Sequence, residues 1–409
     1  MLNAIWFGMF AIAGLAAFGR WILAGDPSGF AAIVDSMFAM AKLSVEVMVL
    51  LFGTLTLWLG FLRIAEGAGL VDGAARLLGP LFARLMPGVP RGHPALGLVT
   101  MNFAANAIGL DNAATPIGLR AMGELQKLNP RPDTATDAQI LFLVLNSSSL
   151  TVLPVTIFMY RLQQGASEPT LVFVPILLAT AASTFAGLLA VAWMQRLRLR
   201  DPVVLAWLGG IALALGSIML LLAGMTAAAV AAASSLAGNL VMFGLVLAIL
   251  AAGAWRRVPV YEHFIDGAKD GFGIARDLLP YLVAMLAAIG ALRASGALDL
   301  ILGALRIGFE WLSLDPRIVD AMPVALAKPF SGSAARALLI ETMQHFGVDS
   351  FQALLAATMQ GSTETTFYVL AVYFGAVGIR RARHAVGCAL VADVAGIGAS
   401  IAVCLAFFA

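Results

Sequence analysis

The residues best equipped for chemistry in this chain are amides, hydroxyls and isolated carboxylates set in stretches apolar enough for a bilayer. Asn102, Asn106, Asp111, Asn112 and Thr115 fall in NFAANAIGLDNAATP (102–116), and Asn146, Ser147, Ser148 and Ser149 in LNSSSLT (145–151). The same kinds of residue recur in KPFSGSAAR (328–336), with Ser331 and Ser333, and in MQGSTETT (359–366), with Gln360, Ser362, Thr363, Glu364, Thr365 and Thr366. Hydrocarbon satisfies neither these side chains nor the backbone of a broken helix, so such segments persist where they line a cavity or hold a ligand. Their oxygens suit a small cation, with Na+ or H+ as a coupling ion, or a polyhydroxylated or amine-bearing solute. A break at Gly361 frees main-chain carbonyls for the same use. Ser and Thr also serve helix packing in membranes, whereas an intramembrane carboxylate such as Glu364 costs several kcal/mol and points to function.

Asp111-Asn112 and Ser331-Gly332-Ser333 each precede a new helix and read as N-caps. A helix N-terminus aimed at the membrane midplane also offers free amides to an anionic or polar group. Lys328 and Arg336 flank the second tip, where they either reinforce an anion preference or pair with Glu341 or Glu364. Asn102 and Asn106 lie one helical turn apart, the spacing of an interhelical hydrogen-bond face or half a binding site. Asp393, inside the last apolar span, is open to two roles, partner of an Arg or proton site. Glu46 and Asp277 read as the starts of equivalent helices.

The four histidines are scattered near helix ends and make no metal motif. Each lysine follows Ala or Gln, so the Gly-Lys-Ser/Thr of a phosphate loop is missing. Neither HExxH nor a Gly-x-Ser-x-Gly elbow is present. The expectation is therefore a protein that is not an enzyme and has no cofactor beyond a coupling ion. An intramembrane hydrolase would have to be built from Asp111, Glu364 and Asp393 alone.

The elements that must carry these residues follow from composition. Of 409 residues, 61% are apolar and 12% charged, which describes a polytopic membrane protein rather than a soluble domain. Apolar windows near 3–24, 44–62, 170–194, 203–224, 231–255, 278–295 and 385–408 approach the roughly 20 residues a spanning helix needs. The first has no Lys or Arg before it and runs too long for a signal-peptide core, so it reads as a retained helix. The formal charge of +2 comes from dispersed basic residues without an aromatic-interleaved stripe, which excludes nucleic acid as partner. Cys388 and Cys404 both fall in the last span and read as small buried residues.

The second half repeats the first. Val34-Asp35 falls on Ile265-Asp266, AEGAGL (65–70) on RASGAL (293–298), Asp111-Asn112 on Ser331-Gly332, and Asn146 to Thr151 on Gln360 to Thr365. Each copy predicts an amphipathic stretch leading into a spanning helix, an interfacial helix (67–86; 297–313) and a polar-tipped pair of short helices (93–128; 316–346) read as a re-entrant hairpin. An interrupted helix (137–160; 349–375) and a final span (170–196; 380–408) complete it. The expected organisation is a first repeat over 1–200, two linking helices over 201–257 and a second repeat over 258–409. If the hairpin re-enters and the interrupted helix crosses, an odd number of crossings separates equivalent points, and the copies are inverted. The fold class expected is thus all-α and polytopic, with two inverted repeats. Placing Arg63, Arg76, Arg84, the Arg196 to Arg200 run, Arg256-Arg257 and Arg380-Arg381 inside puts the N-terminus in the cytoplasm of a bacterial inner membrane.

NFAANAIGLDNAATPIGLRAMGELQKLNP with LFLVLNSSSLTVLPVT resembles the spore maturation protein A family. KPFSGSAARALLIETMQHFGVDSF with MQGSTETTFYVLAVYFGAVGIRRARHAVGCALVAD resembles spore maturation protein B. The chain looks like their fusion, within a wider group carrying the nucleoside recognition, or gate, domain. That group is similar in layout to concentrative nucleoside transporters and to the membrane part of ferrous-iron transporters. The resemblance implies a role in spore or envelope maturation, a homo-oligomer, and a nucleoside-like solute. The leading expectation is a Na+- or H+-coupled secondary transporter of a small polar or anionic solute, working by alternating access. The alternative is a non-transporting membrane component that recruits or regulates maturation proteins.

Overall fold

The computed structural model describes residues 2–107, 111–311 and 315–408. Among these residues the secondary structure is helical, with no strand. After α1 (Leu2–Ala24), the first copy runs through α2 (Ser28–Gly67), α3 (Leu70–Leu85), α4 (Pro94–Ala107), α5 (Asp111–Lys127), α6 (Asp137–Ser148), α7 (Val155–Gln163) and α8 (Phe173–Gln195). Two plain helices follow, α9 (Pro202–Leu222) and α10 (Ala227–Trp255). The second copy repeats the series as α11 (Val260–Ala294), α12 (Ala297–Trp311), α13 (Arg317–Ala327), α14 (Gly332–Phe346), α15 (Phe351–Ser362), α16 (Thr366–Ala376) and α17 (Ala385–Phe408). Among the described residues, six helices are long and apolar enough to cross a membrane, or up to seven if the bent pair α11 and α12 counts as one span. The exposed surface of α9 and α10 carries Leu213, Leu220, Leu240 and Phe243, an apolar face suited to lipid. The molecule is a multi-pass membrane protein.

The sequence predicts separate amphipathic stretches ahead of the spans at 44–62 and 278–295, but both merge into single long helices. α2 has 40 residues and α11 has 35. Glu46 therefore sits within α2 rather than at its start, 3.8 Å from Lys42 on the exposed face. Asp277 lies within α11, and its side chain is outside the described residues. Each long helix ends in a sharp turn at a left-handed glycine, Gly69 (φ 69°) or Gly296 (φ 79°). The short helices that follow, α3 and α12, have one-sided apolar faces. α11 and α12 meet at 70°.

Matching helices of the two copies pack against each other in opposite directions. Gly60 of α2 faces Phe264 of α11, Leu59 and Arg63 face Gly267, Leu55 faces Gly271, and Met40 faces Gly290. A Cβ on Gly271 would stand 2.9 Å from the Leu55 carbonyl oxygen, so backbone meets backbone there. α8 and α17 repeat the arrangement, with Gly187 against Ala392 and Gly396 against Ser183.

Two loop pairs close the ends. The loop before α6 joins the loop before α17: Ala135 N donates to Arg381 O (3.0 Å), and Arg380 N and Arg381 N both donate to Asp133 O (2.9 Å each). Beside them Gln195 Nε2 lies 3.2 Å from Nε2 of His384. Burial, and then the neighbouring Arg383, hold that imidazole below its usual pKa. At the other end, fully buried Arg161 of α7 reaches across to the loop before α15, donating to Val348 O (2.9 Å) and Asp349 Oδ1 (2.8 Å).

The glycine contact between α2 and α11 is testable. Gly271→Leu should destabilise the protein by about 1–3 kcal/mol through overpacking. Gly244→Leu in α10, where a Cβ meets nothing within 4 Å, should be near neutral. Thermal unfolding in detergent separates the two, and equal midpoints would contradict the packing.

Candidate functional site

Every broken helix leaves main-chain groups without an intrahelical partner. In the first copy, α6 ends at Ser149 in the left-handed region (φ 34°), and α7 restarts after Pro154, which has no N–H to lose. The freed groups are taken up nearby: Val152 N donates to Ala107 O at the hairpin tip (2.9 Å), and Thr180 Oγ1 of α8 donates to Ser149 O (2.5 Å). Asn106 Nδ2 at that tip donates to Asn146 Oδ1 (3.0 Å), whose own amide donates to Phe142 O (2.8 Å). Tyr373 of α16 donates to the same Asn146 oxygen at 3.4 Å.

The second copy solves the same problem with hydroxyls. Ser331 caps α14 by accepting from Ala334 N (3.2 Å) and lies 3.1 Å from Ser333 Oγ. Phe367 N, just past the break, donates to Pro329 O (2.9 Å). The tip comes so close that a Cβ on Gly332 would stand 2.8 Å from Thr365 Oγ1.

The two breaks then meet. Glu364 N donates to Ser147 O at 2.8 Å, joining the copies through main chain. Ser147 Oγ is hydrogen-bonded to Thr366 Oγ1, which donates to Asp393 Oδ2 of α17 at 2.7 Å. A cavity of about 1340 Å³ ends at this crossing. Nine of the sequence-predicted residues line it: Asn106, Thr115, Asn146, Ser331, Ser333, Gln360, Thr363, Glu364 and Thr365.

Six others stand in the packed wall behind. Asn102 donates to Ala114 O (2.7 Å), Ser148 Oγ donates to Leu145 O (3.3 Å), and Ser362 Oγ donates to Met359 O (2.8 Å). Ser147, Ser149 and Thr366 bond at the breaks themselves and are buried. Asp111 and Asn112 open α5, and their side chains lie outside the described residues.

Charges of the long helices also enter this cavity, which the sequence alone does not predict. Arg63 and Glu66 of α2, paired at 2.9 Å, and Lys269 and Asp270 of α11 line its outer part. A usable signal exists, since both pairs fall near helix ends that antiparallel packing brings together. Deeper in, buried Lys328 and half-buried Arg336 face the space with Glu364. Glu341, a candidate partner for those cations on sequence grounds, is bound instead to Arg293, with Nη2 to Oε2 at 2.9 Å. Among the described residues no group of three His, Cys, Asp or Glu side chains is arranged to hold a metal. The cavity offers amides, hydroxyls and side chains of both charge signs, a set able to hydrogen-bond polar groups and to balance charge.

The Gate family, described as nucleoside recognition, matches residues 48–163 and 275–380, so each match spans one hairpin and one broken helix. Spore maturation protein B of Bacillus subtilis (strain 168) is 44% identical over 171 residues, covering 42% of this chain and 94% of that protein. Spore maturation protein A of the same organism is 34% identical over 183 residues, covering 45% of this chain and 90% of that protein. Nearly the whole length of each relative is thus matched by under half of this chain. The chain belongs to the Gate (nucleoside recognition) family, alongside spore maturation proteins A and B.

Proposed function

We propose that the protein is a secondary transporter of a small polar or anionic solute, working by alternating access in the cytoplasmic membrane. The observation that carries this reading is the polar cavity that ends at the crossing of the breaks, lined by α7 from Val155 to Tyr160 and by the two long helices from one side only. Among the described residues, α2 lines it only from Leu55 to Glu66 and α11 only from Gly267 to Gly273. These segments lie on one side of the crossing between the two helices, and the stretches around Met40 and Gly290 on the other side contribute nothing to it.

Matching helices that pack antiparallel, and two loop pairs that exchange equivalent partners, support copies related by a two-fold axis in the membrane plane. Such a pair has a second arrangement of similar energy in which the opening faces the other side. A solute bound at the crossing of the breaks would then be exposed to each side in turn. Basic residues recur in the segments around Arg63, Arg84, Arg198, Arg256 and Arg381, and Arg63 lines the outer part of the cavity. That bias supports a cytoplasmic opening and a cytoplasmic N-terminus.

The solute class follows from the lining. Asn106, Asn146 and the hydroxyls of Ser333 and Thr365 match a polyhydroxylated or heterocyclic solute, and Lys328 and Arg336 favour one carrying negative charge. Nucleoside-like solutes fit, and the family's description points the same way. The reading requires no chemical step, so the protein is taken to be a carrier and not an enzyme, coupled to Na+ or H+.

Purified protein in liposomes should accumulate a labelled nucleoside or small organic anion under an imposed Na+ or H+ gradient. Glu364→Gln and Ser333→Ala should cut that flux by at least about tenfold if each group binds in the transition between states. No flux for any solute under either gradient, with Glu364→Gln harmless in cells, would overturn the reading.

Sidedness is checked separately by thiol labelling. Ser333→Cys should react with an impermeant maleimide added from the face bearing Arg380 and Arg381, while Ser148→Cys should react at least about tenfold more slowly because it is walled off. Equal rates would place the cavity elsewhere.

A further inference from the structure

Asp393 stands outside the cavity and uses only one of its two carboxylate oxygens. It is 2% exposed within α17, and while Oδ2 accepts from Thr366, Oδ1 is buried without a hydrogen-bond partner. Its neighbours along α17 show what surrounds it. A Cβ on Gly396, one turn on, would stand 2.8 Å from Thr363 Cγ2, 3.1 Å from Ser183 Cβ and 3.2 Å from Ser362 Oγ. One residue back, Ala392 packs on Gly187, which also faces Ser148. Asp393 is thus bracketed by hydroxyl residues of α6, α8 and the α15 break. Ser183 is fully buried, and its Oγ also lacks a partner.

The local charge balance is unusual. α6 ends at Ser148 and α15 at Ser362, so two helix carboxyl ends with partial negative charge lie beside the carboxylate. Of the helices packed on α17, α8, α10 and α15 carry no titratable side chain. α6 has only Asp137, held by Arg383 at its far end (2.8 Å), and α16 has Tyr368 and Tyr373. Glu364 lies in the adjacent break, Cys388 and Cys404 are in α17 itself, and Lys328 is the cation whose field reaches Asp393. Two buried oxygens without partners, next to two helix carboxyl ends, are costly unless a positive charge joins them.

We propose that Asp393, with Ser183 and the carboxyl ends of α6 and α15, forms a binding site for a small monovalent cation, Na+ or H+, separate from the solute cavity. A single carboxylate balances a single positive charge, and among the described residues no group of three His, Cys, Asp or Glu side chains is arranged to hold a metal. The hydrogen-bonded chain from Asp393 through Thr366 to Ser147 ends on the residue that accepts the Glu364 N–H, so occupancy is transmitted to the crossing of the breaks. Its role as the coupling site rests on the transport reading, but binding does not.

The test is thermal unfolding of the purified full chain in detergent, since an ion bound only by the native state raises the midpoint with its concentration. One arm replaces N-methyl-D-glucamine chloride with NaCl at mildly alkaline pH. The other lowers pH without Na+, where uptake of a proton by the folded state raises stability as pH falls. The wild type should be stabilised in one arm, which identifies the ion, and Asp393→Asn should flatten that response while Glu364→Gln keeps it. Ser183→Ala strands no hydrogen-bond partner and should fold, with its midpoint displaced several-fold toward higher ion concentration. A wild type unresponsive in both arms, or one matched by Asp393→Asn and Ser183→Ala, overturns the site. Failure of transport with an intact, Asp393-dependent response would sink the transport reading and leave the ion site standing.

Discussion

The structure depends on one constraint: four helices stop inside the packed molecule of a multi-pass membrane protein, and the backbone groups they release must find partners there. An unpaired amide or carbonyl in hydrocarbon costs several kcal/mol, more than any single packing contact returns. Val152 to Ala107, Phe367 to Pro329, Thr180 to Ser149 and Glu364 to Ser147 are the bonds that meet this need. They fix the hairpin tips against the breaks, and the breaks against each other. The long glycine-contacted pair α2 and α11 and the pair α8 and α17 then hold that centre from both sides.

Within a repeated frame the two copies supply different chemistry. The first contributes amides, Asn106 and Asn146, and has Leu150 where the second has Glu364. The second contributes hydroxyls, a carboxylate and the cations Lys328 and Arg336. The crossing thus presents neutral hydrogen-bonding groups on one side and charge on the other. The end loops differ likewise, main-chain pairing of Asp133 with Arg380 and Arg381 at one end and the buried guanidinium of Arg161 at the other.

Much of this was legible in the chain. Polar residues in apolar sequence located all four breaks, because no other residue pattern needs a partner so badly at that depth. Repetition of the pattern then ordered the elements of each copy. The facing of individual hydroxyls was not legible. Asn146 lines the cavity and Ser147, the next residue, is in the wall, and at a broken helix there is no regular phase to tell them apart. The continuity of α2 and α11 was hidden because their first halves are amphipathic and their second halves apolar, which reads as two elements. With it was hidden the outer lining by Arg63, Glu66, Lys269 and Asp270, which depends on a pairing between distant segments.

The bond from Glu364 to Ser147 crosses between the copies, as do those from Arg161 to Asp349 and from Ala135 to Arg381. One bond at the breaks and both end-loop pairings therefore need the two copies together. Of the two linking helices, α9 buries only Val204 and Leu222, whereas α10 packs on α2, α8 and α17 and buries Val230, Ser234, Ser235 and Ile249. What the covalent link contributes is a fixed one-to-one stoichiometry and a high effective concentration of each half for the other, so that assembly of the centre no longer depends on two chains meeting in the membrane.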